Sequence, residues 1–287
     1  MNVTLLDGPI GTELDARGVP TPLPFWSASA IDDAPGILAN IHQDYASAGA
    51  VVHTANTFRT RRRTVGPTWR EWTNRAVQIA RHSVGPSHQV AGSLAPLEDC
   101  YRPDRSPGKA SYEEHLEMAG QLAQAGCDII LCETFPHGVE AITAVEAAMT
   151  TGCPVWIALT AGPDADLLSP IEMRRIAKRC VAAGVSAVLV NCTPASATLR
   201  YVDALTDASL GVPVGAYANA GRADEKMGWS ADNQSKPFEA AANYLSYAQK
   251  WIDRGATIVG GCCGTGPHHI TAISQWLDSE GLTKHVG

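Results

Sequence analysis

The chain has 287 residues, 45% of them hydrophobic and 18% charged, a composition that supports a large buried core and excludes disorder, collagen-like repeats and a coiled coil. A formal net charge of -7 argues against a nucleic-acid partner, because neutralising phosphates requires a basic face. No apolar run approaches the roughly 20 residues that span a bilayer, and MNVTLLDGPIG lacks the basic start and apolar stretch of a signal peptide, so the expectation is a cytoplasmic protein with no membrane partner.

Short apolar, β-branched segments begin near Val3, Val51, Gln89, Ile129, Pro154, Ala187, Pro213 and Ala256. Between them lie amphipathic stretches at 37–49, 68–84, 111–125, 138–150, 170–183, 196–207, 237–254 and 267–279. Gly49, Gly126, Gly152, Gly184 and Gly255 close five of these just before the next strand, where a left-handed residue ends a helix. Segments such as AVLV at 187–190 are apolar throughout, as parallel strands buried on both faces must be. Eight βα units of roughly 36 residues predict an α/β fold, a single (β/α)8 TIM barrel over 1–287. GPIG at 8–11 does not match the Gly-rich loop of a dinucleotide fold.

In such barrels the active site lies at the C-terminal ends of the strands. Placed there by the prediction are Asp7, Asn56 and Thr57, Ser93, Glu133, Asn191 and Cys192, Tyr217 and Asn219, and Cys262 with Cys263. Eight cysteines in a reducing compartment are thiols or metal ligands rather than disulfides. Cys192, Cys262 and Cys263 project toward one barrel mouth, and three thiolates leave a fourth position open on a tetrahedral Zn²⁺. Adjacent cysteines reach one metal only where the strand breaks, which Gly260, Gly261 and Gly264 permit. Cys100, Cys127, Cys132, Cys153 and Cys180 read as packing residues. A trithiolate zinc carries net negative charge, so it suits holding a substrate thiol as a nucleophile better than acidifying water.

DGPIGTEL at 7–14, ANTF at 55–58, CETF at 132–135, NC at 191–192, YANAG at 217–221 and GGCCG at 260–264 resemble the homocysteine S-methyltransferase family, in order along nearly the whole chain. The resemblance implies a zinc-dependent methyltransferase of methionine biosynthesis with Cys192, Cys262 and Cys263 as metal ligands and homocysteine sulfur as the further ligand. It maps the acids that hold the substrate ammonium onto Asp7 and Glu133. Asn56, Thr57, Asn191, Tyr217 and Asn219 are further substrate-binding candidates. Ser93 departs from the family's usual Gly-Pro segment. Trp26 and Phe25 could wall a pocket for a cationic donor, S-methylmethionine or S-adenosylmethionine before a betaine-like one. His268 and His269 read as surface or helix-cap residues. The basic run Arg59 and Arg61 to Arg63 is either a solvated face or a contact for an anionic donor or for a separate corrinoid protein acting as methyl donor. One barrel uses about 250 residues, so the methyl group is expected from outside this polypeptide. Two other readings remain: a zinc and thiol amino-acid binding protein without turnover, and a Schiff-base enzyme, for which no lysine (Lys109, Lys178, Lys226, Lys236, Lys250 or Lys284) ends a predicted strand.

Overall fold

The computed structural model describes residues 2–221, 227 and 236–284. Its strands are β1 Asn2–Leu5, β2 Val52–Ala55, β3 Gln89–Leu94, β4 Ile129–Phe135, β5 Val155–Leu159, β6 Ala187–Pro194, β7 Val214–Asn219, β8 Ile258–Gly261 and β9 Thr283–Lys284. All pairings are parallel, in the order β2-β3-β4-β5-β6-β7-β8-β1-β9. A single bridge between Leu6 and Val52 brings the first strand back to the second. The sheet is thereby a nearly closed (β/α)8 barrel, with a helix between each pair of consecutive strands. The predicted strands and helices fall where the chain forms them. β9, which the sequence pattern does not reveal, is a two-residue addition beside the start of β1.

The continuous apolar strands have two interiors to fill. Leu6, Val52, Leu131, Ala158, Leu189 and Ile258 point into the barrel, while Val3, Val90, Ile130, Val188, Val190 and Val259 pack outward against the helices. The five helix-closing glycines all have positive φ, from 77° at Gly152 to 108° at Gly184, as a left-handed cap requires. No helix among the described residues is long and apolar enough to cross a membrane.

Candidate active site

Inward-facing residues of β8 alternate, so two steps of two from Ile258 bring Cys262 to the barrel interior just past the strand. Cys263 follows because the chain turns there, with Gly264 at φ 80° and its N–H donating to Thr12 Oγ1 at 3.0 Å. The turn is tied at both cysteines: Cys262 N–H donates to Ala218 O at 2.8 Å, and Cys263 O accepts from Ala220 N at 2.9 Å. The preceding glycines are dictated by crowding. A Cβ on Gly260 would lie 2.6 Å from Leu6 Cβ, and one on Gly261 would lie 2.1 Å from Thr265 Oγ1.

β6 delivers its thiol differently. Leu189 faces inward and so does Cys192, three residues on, because the register with β7 shifts between Asn191 and Pro194. Cys192 sits at φ 47°, and Thr134 on β4, beside a matching irregularity, at φ 63°. Neither is glycine, so the surroundings must hold both. Asn191 does this: its Oδ1 accepts from Thr134 N–H at 3.2 Å, and its Nδ2 donates to Thr134 Oγ1 at 2.8 Å and to Cys192 Sγ at 3.6 Å.

The sulfur atoms of Cys192, Cys262 and Cys263 all lie within 4.8 Å of one another. Hydrogen bonds from Cys192 and Cys262 push the Cys263 thiol well below its ordinary range, whereas Cys192, hydrogen-bonded to the other two and buried, is held well above it. Three converging soft donors on a cavity floor fit a thiophilic divalent ion such as zinc. A second group, Asp7, His42 and His53, also places ligand atoms within 4.8 Å. Only Asp7 of that group lines the cavity; His42 lies on the helix Pro35–Ser47 and His53 in β2, behind the wall. Burial lowers His42 to about 4 and His53 to about 3 and raises Asp7, so at neutral pH these imidazoles are uncharged.

Above the thiols opens a cavity of about 370 Å³, within the usual range for small-molecule sites. Glu133 reaches it from β4, accepting hydrogen bonds from Ser93 Oγ and, at 3.0 Å, from Tyr217 OH. Burial raises the Glu133 carboxyl, and these two donors oppose that rise. Asp7 accepts from Thr54 N–H at 2.8 Å and Thr54 Oγ1 at 3.2 Å. Asn56 lines the cavity too, with its amide engaged by Ser27 at 2.7 Å on both sides.

Three expected residues stand behind the rim. Thr57 Oγ1 donates to Ser93 O at 2.9 Å, Asn191 clamps Thr134, and Asn219 is buried with its Oδ1 unpartnered among the described residues. None of the three lines the cavity. Ser93, in contrast, does line it, as do Arg59 of the basic run, Cys100, which the sequence pattern assigns to packing, and Tyr101, which it leaves unassigned. Trp26 forms a wall, edge-on to Phe58 at 5.8 Å, while Phe25 turns away to Trp72 at 5.6 Å. His269 accepts from Gly266 N–H at 3.0 Å as a cap residue but is buried, its Nε2 2.7 Å from Met227 O. Lys109, Lys178, Lys236 and Lys250 do not line the cavity, Lys284 lies in β9, and Lys226 is outside the described residues. A shallower cleft of about 560 Å³ beside Asp164, Arg200 and Asp203 contains none of the cysteines.

The basic run is not a free cationic patch. Arg61 is buried and donates to Pro96 O at 2.6 Å, Arg62 pairs with Glu117, and Arg63 pairs with Glu98 and Glu114. These pairings remove the charge surplus that docking an acidic corrinoid protein would use, and that partner finds no support here. Arg59 alone turns into the cavity.

A (β/α)8 barrel with three thiols converging beneath a cavity lined by Asp7, Asp99 and Glu133 defines a class: thiol-activating barrel transferases. A family model for homocysteine S-methyltransferase matches residues 4–277, so the chain belongs to that family and is an S-methyltransferase. It is 30% identical to homocysteine S-methyltransferase 3 of Zea mays over 98% of this chain and 91% of that protein. It is 26% identical to the S-methylmethionine–homocysteine S-methyltransferase BHMT2 of Pongo abelii over 97% and 79%. Among solved structures, the metallated homocysteine methyltransferase MmuM from Escherichia coli superposes with a TM-score of 0.79 at 22% identity, covering 96% of each chain. That likeness shows the shared fold.

Proposed function

We propose that the protein transfers a methyl group from a small sulfonium donor to homocysteine, giving methionine. The observation that carries this reading is the convergence of Cys192, Cys262 and Cys263 on the floor of a cavity that also holds Asp7 and Glu133. A zinc ion held by the three cysteines would supply, when bound, the Lewis acidity that keeps a thiol ionised at neutral pH.

The chain's own residues do the rest. Glu133, fixed by Ser93 and Tyr217, and Asp7, fixed by Thr54, receive the substrate ammonium, with the carbon chain reaching down to the thiols. Trp26 and Phe58 present aromatic surface to a positively charged donor. Held in line, the homocysteine sulfur forms a bond to the methyl carbon, and the donor sulfur departs with the bonding pair as a neutral thioether. The thiol proton leaves to solvent. S-methylmethionine or S-adenosylmethionine is the favoured donor, and the name of the Pongo abelii relative supports the first.

The test is methionine formation by zinc-loaded protein given homocysteine and, in parallel, S-methylmethionine, S-adenosylmethionine, betaine or a methylated corrinoid protein. Turnover with a sulfonium donor alone is expected. Turnover only with betaine or the corrinoid protein refutes the donor assignment, and none with any donor refutes the reaction.

A further inference from the structure

The cavity is lined by three carboxylates and four cysteines, and it contains one cationic side chain. Asp7, Asp99 and Glu133 are the acids, Cys100, Cys192, Cys262 and Cys263 the thiols, and Arg59 the only arginine, lysine or histidine among the described lining residues. It differs from the rest of its run. Arg61, Arg62 and Arg63 donate from terminal guanidinium nitrogens to Pro96 O and to the carboxylates of Glu117, Glu98 and Glu114. The buried Nε of Arg59, like that of Arg61, has no hydrogen-bond partner among the described residues, and of the four only Arg59 lines the cavity.

Its position is built. The turn after β2 is fixed by Thr57 N–H to Ala55 O at 2.7 Å and by the hydroxyl pair Thr60 and Thr73 at 2.8 Å. The guanidinium carbon then lies 5.9 Å from the ring centre of Phe58, on the side of the cavity that Trp26 walls. Arg59, Cys100 and Cys263 line the same cavity.

A guanidinium that opens onto a cavity pairs well with an anion, and a planar carboxylate matches its fork. Asp99 is engaged by Tyr101 N–H at 2.9 Å through Oδ1, and Asp7 and Glu133 are held by Thr54, Ser93 and Tyr217. Both reactants of the methyl transfer are amino acids. Each brings an ammonium, for which the cavity has acids, and an α-carboxylate, for which it has one cation.

We propose that Arg59 is a specificity-determining residue: its guanidinium receives the α-carboxylate of an amino-acid substrate, selecting carboxylate-bearing reactants over simple thiols and sulfonium ions. The inference rests on the methyl-transfer reading for its substrates. The shared chemistry is the carboxylate, and the experiment separates its two sources.

Zinc-loaded wild type, Arg59→Gln and Arg59→Lys are assayed with homocysteine and S-methylmethionine, then with 3-aminopropanethiol replacing the acceptor or trimethylsulfonium replacing the donor. Arg59→Gln is expected to raise KM for the carboxylate-bearing reactant about 10- to 100-fold, as for loss of a charged hydrogen-bond pair, with Arg59→Lys between it and wild type. A rise for homocysteine that adds nothing once 3-aminopropanethiol is used assigns the acceptor's carboxylate. A rise for S-methylmethionine that adds nothing with trimethylsulfonium assigns the donor's. Unchanged KM values, or an equal added loss with both truncated reactants, overturn the proposal. Calorimetric titration with homocysteine and with methionine keeps the two readings apart, since it reports the contribution of Arg59 to binding whether or not methyl transfer occurs. Binding equal in wild type and Arg59→Gln, or absent in both, also overturns it.

Discussion

Tyr217→Phe isolates one hydroxyl at the centre of the acidic site. Glu133 is buried, and burial alone drives its carboxyl toward the neutral form, which cannot pair with an ammonium. Two donors work against this: the Ser93 hydroxyl on one oxygen and the Tyr217 hydroxyl, 3.0 Å away, on the other. A hydrogen bond to a charged group contributes about 1.5–3 kcal/mol, so removing this one should weaken homocysteine binding near neutral pH by roughly 10- to 100-fold. The sign of the pH effect follows. The variant's carboxyl titrates higher than the wild type's, so the ionised form is regained only as pH rises, and the deficit should shrink over a range of rising pH. The measurement is homocysteine affinity by calorimetry across that range on zinc-loaded protein, with metal content checked for each variant. Ser93→Ala should behave in the same direction through the other oxygen. A Tyr217→Phe variant with unchanged affinity, or with a loss that does not vary with pH, would show that Tyr217 merely packs and that Glu133 is not the ammonium's partner.

Cys262→Ala should lose most of its zinc and all detectable methyl transfer while remaining folded; full metal content by elemental analysis would overturn the ligand assignment. A Cβ on Gly11 would lie 2.2 Å from Trp26 Cζ2, so Gly11→Ala should displace the aromatic wall, raise the donor KM and cost about 1–3 kcal/mol in urea unfolding. Arg63→Ala, which breaks only partly exposed pairs with Glu98 and Glu114, should change stability by no more than about 1 kcal/mol and leave turnover intact. His42, lowered by burial to about 4 from about 6.5, takes up its proton first in the unfolded state, so the folded state carries no such penalty above pH 6.5 and loses up to about 3 kcal/mol relative to it as pH falls toward 4. His42→Leu should therefore flatten the acid side of a urea-midpoint profile; an identical profile would refute the linkage.

The barrel is legible in the sequence because its strands are buried on both faces and its helices end at glycine, and both signals are local. AVLV at 187–190 and Gly184 carry that information without reference to any other residue. The thiol cluster is legible for a related reason, since strand ends converge once the barrel is known. The placements that the sequence does not reveal arise where the alternation fails. Asn191 and Cys192 are adjacent, expected as a substrate-binding residue and a metal ligand, and the irregularity in β6 rotates Cys192 inward and leaves Asn191 bracing Thr134. Thr57 lies one residue past Asn56, yet one faces the cavity and the other supports Ser93. Arg59, Cys100 and Tyr101 sit on loops, where side-chain direction has no period to read and depends on contacts with distant segments. The arginine run shows the same limit: four similar residues meet four different surroundings.

The single bridge between Leu6 and Val52 has a consequence for ligand binding. Where the next rung of the ladder would be, Thr54 N–H donates instead to the carboxylate of Asp7, so a side chain finishes the closure that the two short strands begin. On the proposed role of Asp7 as an ammonium partner, that oxygen atom serves both the architecture and the substrate. Local opening along this join and affinity for the amino acid are then linked quantities: occupancy slows amide exchange at Thr54, and any change that loosens the join weakens binding without touching the ligand.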